Sequence, residues 1–206
     1  MSTRQSITAI ETDRKDPGLV HVRIGRSRIG PLRRDAAEGL GLLEGRVWTA
    51  RLEKDVERLT RREGCRSDAL RRLGRRDHSR VLLALRLTPR WGEDIAREVV
   101  EELAVHGWLD DGAYATRRVE RLRRSGPVSR EVLTGRLEEE GVSPAQARKA
   151  TNGGDRPQGL ATHVRRWKRE GRDAGWITRT LGRRGFDFDT IAEALRSAGI
   201  PCPSDE

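Results

Sequence analysis

Ser129-Arg130-Glu131-Val132-Leu133-Thr134-Gly135-Arg136-Leu137-Glu138-Glu139-Glu140-Gly141-Val142-Ser143-Pro144-Ala145-Gln146-Ala147 reads as two helices in succession. Leu133 and Leu137 lie four residues apart, on one face of a helix. Ser129 marks its start, because a serine hydroxyl accepts from backbone N–H groups that the first helical turn leaves without partners. Gly141 ends it. Ser143 with Pro144 then forms an N-cap and first-turn proline pair, and Ala147 falls on the inner face of the helix that follows.

Working outward, the same arrangement recurs. An apolar anchor is followed ten or eleven residues later by a second and four beyond that by a third: Leu73, Leu83 and Leu87; Leu122, Leu133 and Leu137; Trp167, Ile177 and Leu181. A glycine closes each set (Gly92, Gly141, Gly185), and a further helix follows, with Ile95 and Val99, then Ala147, then Ile191 and Leu195 facing inward. Ser79 and Ser129 cap the middle helices of the first two copies, and Asp187 or Asp189 caps the last helix of the third. By the middle anchor the copies recur at 50 and then 44 residues. A unit of roughly 45 residues barely buries a core of its own, so neighbours are expected to stack and share one.

Residues before this array differ in kind. Ile7-Thr8-Ala9-Ile10 and Leu19-Val20-His21-Val22-Arg23-Ile24 are β-branched and partly alternating, and Asp13-Arg14-Lys15-Asp16-Pro17-Gly18 between them is a turn by composition. A β-hairpin is expected, broken by Gly30-Pro31. A short helix over 33–40 follows, then a loop framed by Gly41 and Gly45. From Trp48 to Arg62 a helical period returns, with Leu52, Val56 and Leu59 on one face. The expected fold is mainly α: three tandem three-helix repeats forming an elongated, curved array, preceded by a small N-terminal β-hairpin and helix region. The expected boundaries are 1–66 for the N-terminal region, 67–109, 110–153 and 154–200 for the repeats, and 201–206 for a disordered tail, with a flexible break at Asn152-Gly153-Gly154-Asp155.

Composition excludes several classes. The 206 residues are 34% hydrophobic and 36% charged, and no apolar run approaches the ~20 residues of a membrane span. Met1 to Ser6 lacks the apolar core of a signal peptide. Cys65 and Cys202 stand far apart, without a CxxC or a nearby His pair, which supports neither a disulfide framework nor a zinc site. A cytoplasmic protein is expected. It carries 42 Lys+Arg against 32 Asp+Glu, a formal charge of +10, which implies attraction to a polyanion.

That excess is uneven. Residues 1–68 carry +4, 69–113 zero, 114–151 +4 and 152–206 +2. Arg117, Arg118, Arg121, Arg123 and Arg124 fall within eight residues of one helix; Arg117, Arg121 and Arg124 share a face while Val119 and Leu122 turn inward. Copy three repeats the design with Arg165, Arg166, Lys168, Arg169 and Arg172, and copy one offers Arg71, Arg72, Arg75 and Arg76. Aromatics are 4% of the chain and are not interleaved with these arginines. Phosphate contact without sequence readout is therefore expected in preference to base stacking.

Catalytic signals are weak. Asp110-Asp111 is expected to cap the next helix, since no third carboxylate or histidine has ligand spacing. Gly25 to Gly30 lacks the Lys-Ser/Thr of a phosphate loop. His21, His78, His106 and His163 are scattered, without a triad context. No enzyme, catalytic residue, metal or cofactor is expected.

Gly107-Trp108-Leu109-Asp110-Asp111 with Tyr114-Ala115, Ser125-Gly126-Pro127, Leu133 to Leu137, Glu140-Gly141-Val142, and Arg183-Arg184-Gly185-Phe186 with Ile191 and Leu195 together resemble the bacterial RecX regulatory family, over about residues 67–198. Leu42-x-x-Gly45 resembles the N-terminal region of many members. The resemblance implies three tandem three-helix repeats. It also implies binding to RecA recombinase filaments on DNA and inhibition of their extension, ATP hydrolysis, strand exchange and co-protease activity, with effects on DNA repair, recombination and the SOS response. Arg117, Arg118, Arg121, Arg124, Arg130, Arg165, Arg166 and Arg169 are then expected to face the filament, DNA being touched through phosphates. The protein is expected to be a monomer without membrane contact. The competing reading is a non-enzymatic, repressor-like helical protein acting on DNA directly.

Overall fold

The computed structural model describes residues 5–152 and 157–201. It is 62% helical, with ten helices among the described residues and one three-stranded antiparallel sheet. The strands are β1 (Ile7–Thr12), β2 (Leu19–Ile24) and β3 (Ser27–Arg33), in the order β1-β2-β3. The expected hairpin is therefore two-thirds of a sheet. Gly30-Pro31 does not break it but lies inside β3. The reason is position: β3 is an edge strand, and between the pairs Val20↔Leu32 and Val22↔Ile29 both residues sit opposite His21. A bulge at an edge is one of the few places where a strand tolerates proline.

Helix α1 (Arg34–Gly39) follows, and α2 (Ala50–Leu73) runs 24 residues without interruption. The helical period expected from Trp48 to Arg62 extends to Leu73, so the expected boundary at 66/67 falls inside α2. Gly64, the residue whose propensity argues for a break, is retained mid-helix by packing. A Cβ built there would lie 2.5 Å from the indole of Trp91, so only glycine lets the ring lie against the helix. Leu52 and Val56 of α2 close the sheet's inner face with Ile7, Val20, Val22 and Leu32.

Helices α3 (Arg80–Trp91), α4 (Glu93–Val105), α5 (Asp111–Arg124), α6 (Arg130–Glu139), α7 (Pro144–Thr151), α8 (Pro157–Arg169), α9 (Ala174–Arg183) and α10 (Phe188–Ser197) complete the chain. It divides into two compact units, residues 1–77 with 83–109, and residues 78–82 with 110–206. In the first, Leu83, Leu87, Ile95, Val99 and Leu103 pack on Cys65 and Ala69 of α2. In the second, Leu133, Leu137 and Ala147 pack on Tyr114, Ala115 and Val119, and Ile177, Leu181, Ile191 and Leu195 form a core with Leu160, Val164 and Trp167. The middle and third anchors of all three copies are 0% exposed. Each such side chain contributes roughly 1.5–3 kcal/mol by leaving water, which explains why this spacing organises the fold.

Caps fall where the sequence places them. Ser79 Oγ accepts from Leu82 N–H at 3.1 Å, Ser129 Oγ from Val132 N–H at 3.2 Å, and Asp187 from Thr190 N–H at 2.7 Å. Ser79 also donates to the Glu140 carbonyl, and Ser129 N–H donates to the Arg184 carbonyl at 2.9 Å. The start of each of these middle helices is thus sealed by the glycine turn of the copy that follows. Of the expected break at 152–155, residues 153–155 lie outside the described residues, as does all of the expected tail except Ile200-adjacent Pro201.

Candidate functional site

Helix α5 is set by its cap and its apolar face. Asp110 Oδ1 accepts from Gly112 N–H at 2.8 Å and Ala113 N–H at 3.0 Å, satisfying two donors of the first turn. Asp111 has a different task from its neighbour: it accepts from the backbone N–H of Arg80 at 2.9 Å, at the first turn of α3. Ala115 and Val119 are buried, Leu122 partly so, and Arg117, Arg121 and Arg124 are exposed. The stripe expected from the i, i+4, i+7 spacing is present.

Arg118, expected with these three to face the filament, is bonded to Glu140. Its Nε lies 2.9 and 3.0 Å from the two carboxylate oxygens of Glu140 and its Nη2 2.6 Å from Oε1, while Tyr114 Oη donates to Oε2 at 2.6 Å. Burial alone pushes the Glu140 carboxyl upward; the bonds from Arg118 and Tyr114 outweigh it and hold the group below its ordinary value. Burial, then the neighbouring carboxylate, raises the Tyr114 phenol. Arg118 thus fastens α5 to the end of α6. Arg123 also turns inward, with buried Nε and Nη2 lacking hydrogen-bond partners among the described residues.

Arg130 is exposed at the first position of α6. A cation at a helix N-terminus opposes the backbone dipole, so this arginine does not serve its own helix. The turn between α5 and α6 is held from a third direction. Arg184 donates through Nη2 to Ser125 O at 2.9 Å and through Nη1 to Pro127 O at 3.1 Å. Sequence reasoning missed that role; the only signal was Gly126 in the turn, where a Cβ would lie 2.9 Å from the guanidinium.

On α8 the set divides again. Arg165 donates to Ser197 O at 2.7 Å and Lys168 to Gly199 O at 2.9 Å, satisfying carbonyls at the end of α10. Arg166 makes an exposed i,i+4 pair with Glu170 at 3.5 Å, of little energetic weight, and Arg169 is exposed. His163, half-buried, is held low by burial and then by Arg166 and Arg184.

On α2 of the first unit several arginines are engaged. Arg62 pairs with Glu102 at 2.5 Å, Arg66 with Glu102 at 3.1 Å, and Arg58 with Glu98, joining α2 to α4. Arg71 and Arg72 are tied to buried Asp68 at 2.7 and 3.3 Å. Among the described residues no three His, Cys, Asp or Glu side chains gather as a metal-ligand set, and no helix is long and apolar enough to cross a membrane.

The described residues form a mainly helical protein with one small antiparallel sheet, and arginines are exposed on α5, α6 and α8. Related proteins place it more closely. The chain is 36% identical over 131 residues to the regulatory protein RecX of Thermus thermophilus, covering 63% of this chain and 89% of that protein. It is 33% identical over 142 residues to RecX of Chromohalobacter salexigens, covering 65% and 91%. A crystal structure of a regulatory protein RecX superposes with a TM-score of 0.71 over 93% of this chain and 98% of that one, at 16% identity. RecX from Lactobacillus salivarius gives 0.54 over 68% and 97%, at 18% identity. No family model matches the chain. The chain belongs to the RecX family of regulatory proteins.

Proposed function

We propose that this protein binds RecA recombinase filaments on DNA and down-regulates them, restraining filament extension, ATP hydrolysis, strand exchange and co-protease activity. The observation that carries the reading is the exposed stripe Arg117, Arg121 and Arg124 on α5, backed by buried Val119; Arg130 is exposed at the start of α6, after a turn that Arg184 holds. A fixed row of guanidinium groups suits the phosphates of filament DNA and the carboxylates of an acidic protein surface. Arg166 and Arg169 extend the contact on α8. Arg118 and Arg165, bonded to Glu140 and Ser197, act by holding their helices in place.

RecA-dependent ATPase on single-stranded DNA, titrated with the protein at two salt concentrations, tests this. Inhibition that weakens with salt is expected. Charge reversal of Arg117, Arg121 and Arg124 together should abolish it while helicity is retained. Unchanged inhibition removes these residues from the interface, and sequence-selective binding to naked DNA without RecA favours the repressor reading.

A further inference from the structure

A second set of cations lies on the N-terminal sheet. An open basin of about 820 Å³ is lined there by Glu11 of β1, by Asp13, Arg14 and Lys15 of the β1–β2 turn, and by Arg23 and Arg28, which face one another on β2 and β3. Like charges directly opposite on adjacent strands are unfavourable alone. Here one carboxylate holds both: Glu11 Oε1 accepts from Arg23 Nε at 2.8 Å, and Oε2 from Arg28 Nε at 3.2 Å. Two guanidinium groups on one carboxylate leave a positive charge over, and the arginine side chains remain 41% and 45% exposed.

Asp13 returns one negative charge to the basin while Arg14 and Lys15 add two positive ones, so the six charged side chains that line it sum to +2. Asp13 Oδ1 accepts from the backbone N–H groups of Lys15 and Asp16 at 2.8 and 3.2 Å, and its Oδ2 lies 2.9 Å from His21 Nε2. The exposed side chains of Arg14 and Lys15 have no carboxylate partner among the described residues.

We propose that this basin binds the phosphodiester backbone of nucleic acid. Oriented guanidinium forks suit phosphate oxygens, and the two cations of the turn extend the positive surface beyond what one small anion covers. The first aromatic residue of the chain is Trp48, so the basin has no platform for a base and reads no sequence. The site is independent of RecA.

Binding of a mixed-sequence single-stranded oligonucleotide to the full chain, measured over a range of salt in the absence of RecA, tests it. Joint Arg14→Ala and Lys15→Ala substitution removes side chains that support no other contact. It should weaken binding and lower the slope of log affinity against log salt by roughly 1.4, for two phosphate contacts at about 0.7 each on a single strand. Glu11→Gln, which releases two guanidinium groups, should move affinity the opposite way. The proposal is overturned if neither variant changes affinity or slope. It is equally overturned if inorganic phosphate or polyglutamate occupies the basin as well as the oligonucleotide does. Loss of RecA inhibition in the α5 variants leaves these outcomes untouched, so the two readings fail separately.

Discussion

Gly141 lies so close against Val81 that a Cβ built on the glycine would be 2.2 Å from the valine Cβ. The relationship repeats one copy later, where a Cβ on Gly185 would meet Val132 Cγ2 at 2.3 Å and Ser129 Oγ at 2.5 Å. Both glycines have left-handed φ, 82° and 88°. Two demands therefore converge on one position: the turn ending a helix, and the close approach of the preceding copy's middle helix.

Gly141→Ala and Gly185→Ala should each cost about 2–4 kcal/mol, combining about 1 kcal/mol for the left-handed backbone with the overpacking of a filled junction. Gly171→Ala supplies the control. Its φ is 80°, but nothing lies within 4 Å of its Cβ position, so only the backbone cost of about 1 kcal/mol is expected. Urea unfolding of the three variants checks this; equal losses would mean that the contact contributes nothing.

Glu140→Gln should destabilise the protein by about 2 kcal/mol at neutral pH by weakening the charge-assisted bonds from Arg118 and Tyr114. The carboxyl is held below its ordinary 4.5, so its contribution is complete above that value and is lost as pH falls through the lower folded value. Thermal melts of parent and variant should therefore converge in acid. A gap that persists there assigns the loss to shape instead of charge.

Gly64→Ala offers a change of sign. Mid-helix, alanine is favoured by about 1 kcal/mol. Here the Trp91 ring occupies the space, held by Nε1–H to Asp68 Oδ2 at 3.3 Å, so the substitution should destabilise by about 1–3 kcal/mol. In a Trp91→Ala background the same substitution should stabilise. A double-mutant cycle with no coupling would exclude the packing account.

Arg118 and Arg130 should separate stability from function. Arg118→Ala leaves Glu140 without its guanidinium partner and should lower stability by about 2 kcal/mol. Arg130→Ala removes a cation from a helix N-terminus and should raise stability by about 0.3–0.5 kcal/mol while weakening RecA inhibition. Paired melts and ATPase titrations decide; a destabilised Arg130→Ala protein would contradict the assignment.

The sequence by itself determined the helical array. Leucine and isoleucine anchors, glycine breaks and serine or aspartate caps act over one to three turns, and local periodicity records such interactions directly; the family resemblance rested on the same residues. It also located the stripe Arg117, Arg121 and Arg124, because helix geometry alone puts those side chains on one face. Tertiary structure decided the rest. That α2 continues through Gly64 depends on Trp91, 27 residues away. That Pro31 belongs to a strand depends on β3 lying at an edge. Which arginines are engaged within the fold depends on partners distant in the chain, Glu140 for Arg118 and Ser197 for Arg165. A guanidinium looks alike in sequence whether it meets water, a carboxylate or a helix end, and only the fold brings those partners within hydrogen-bond reach.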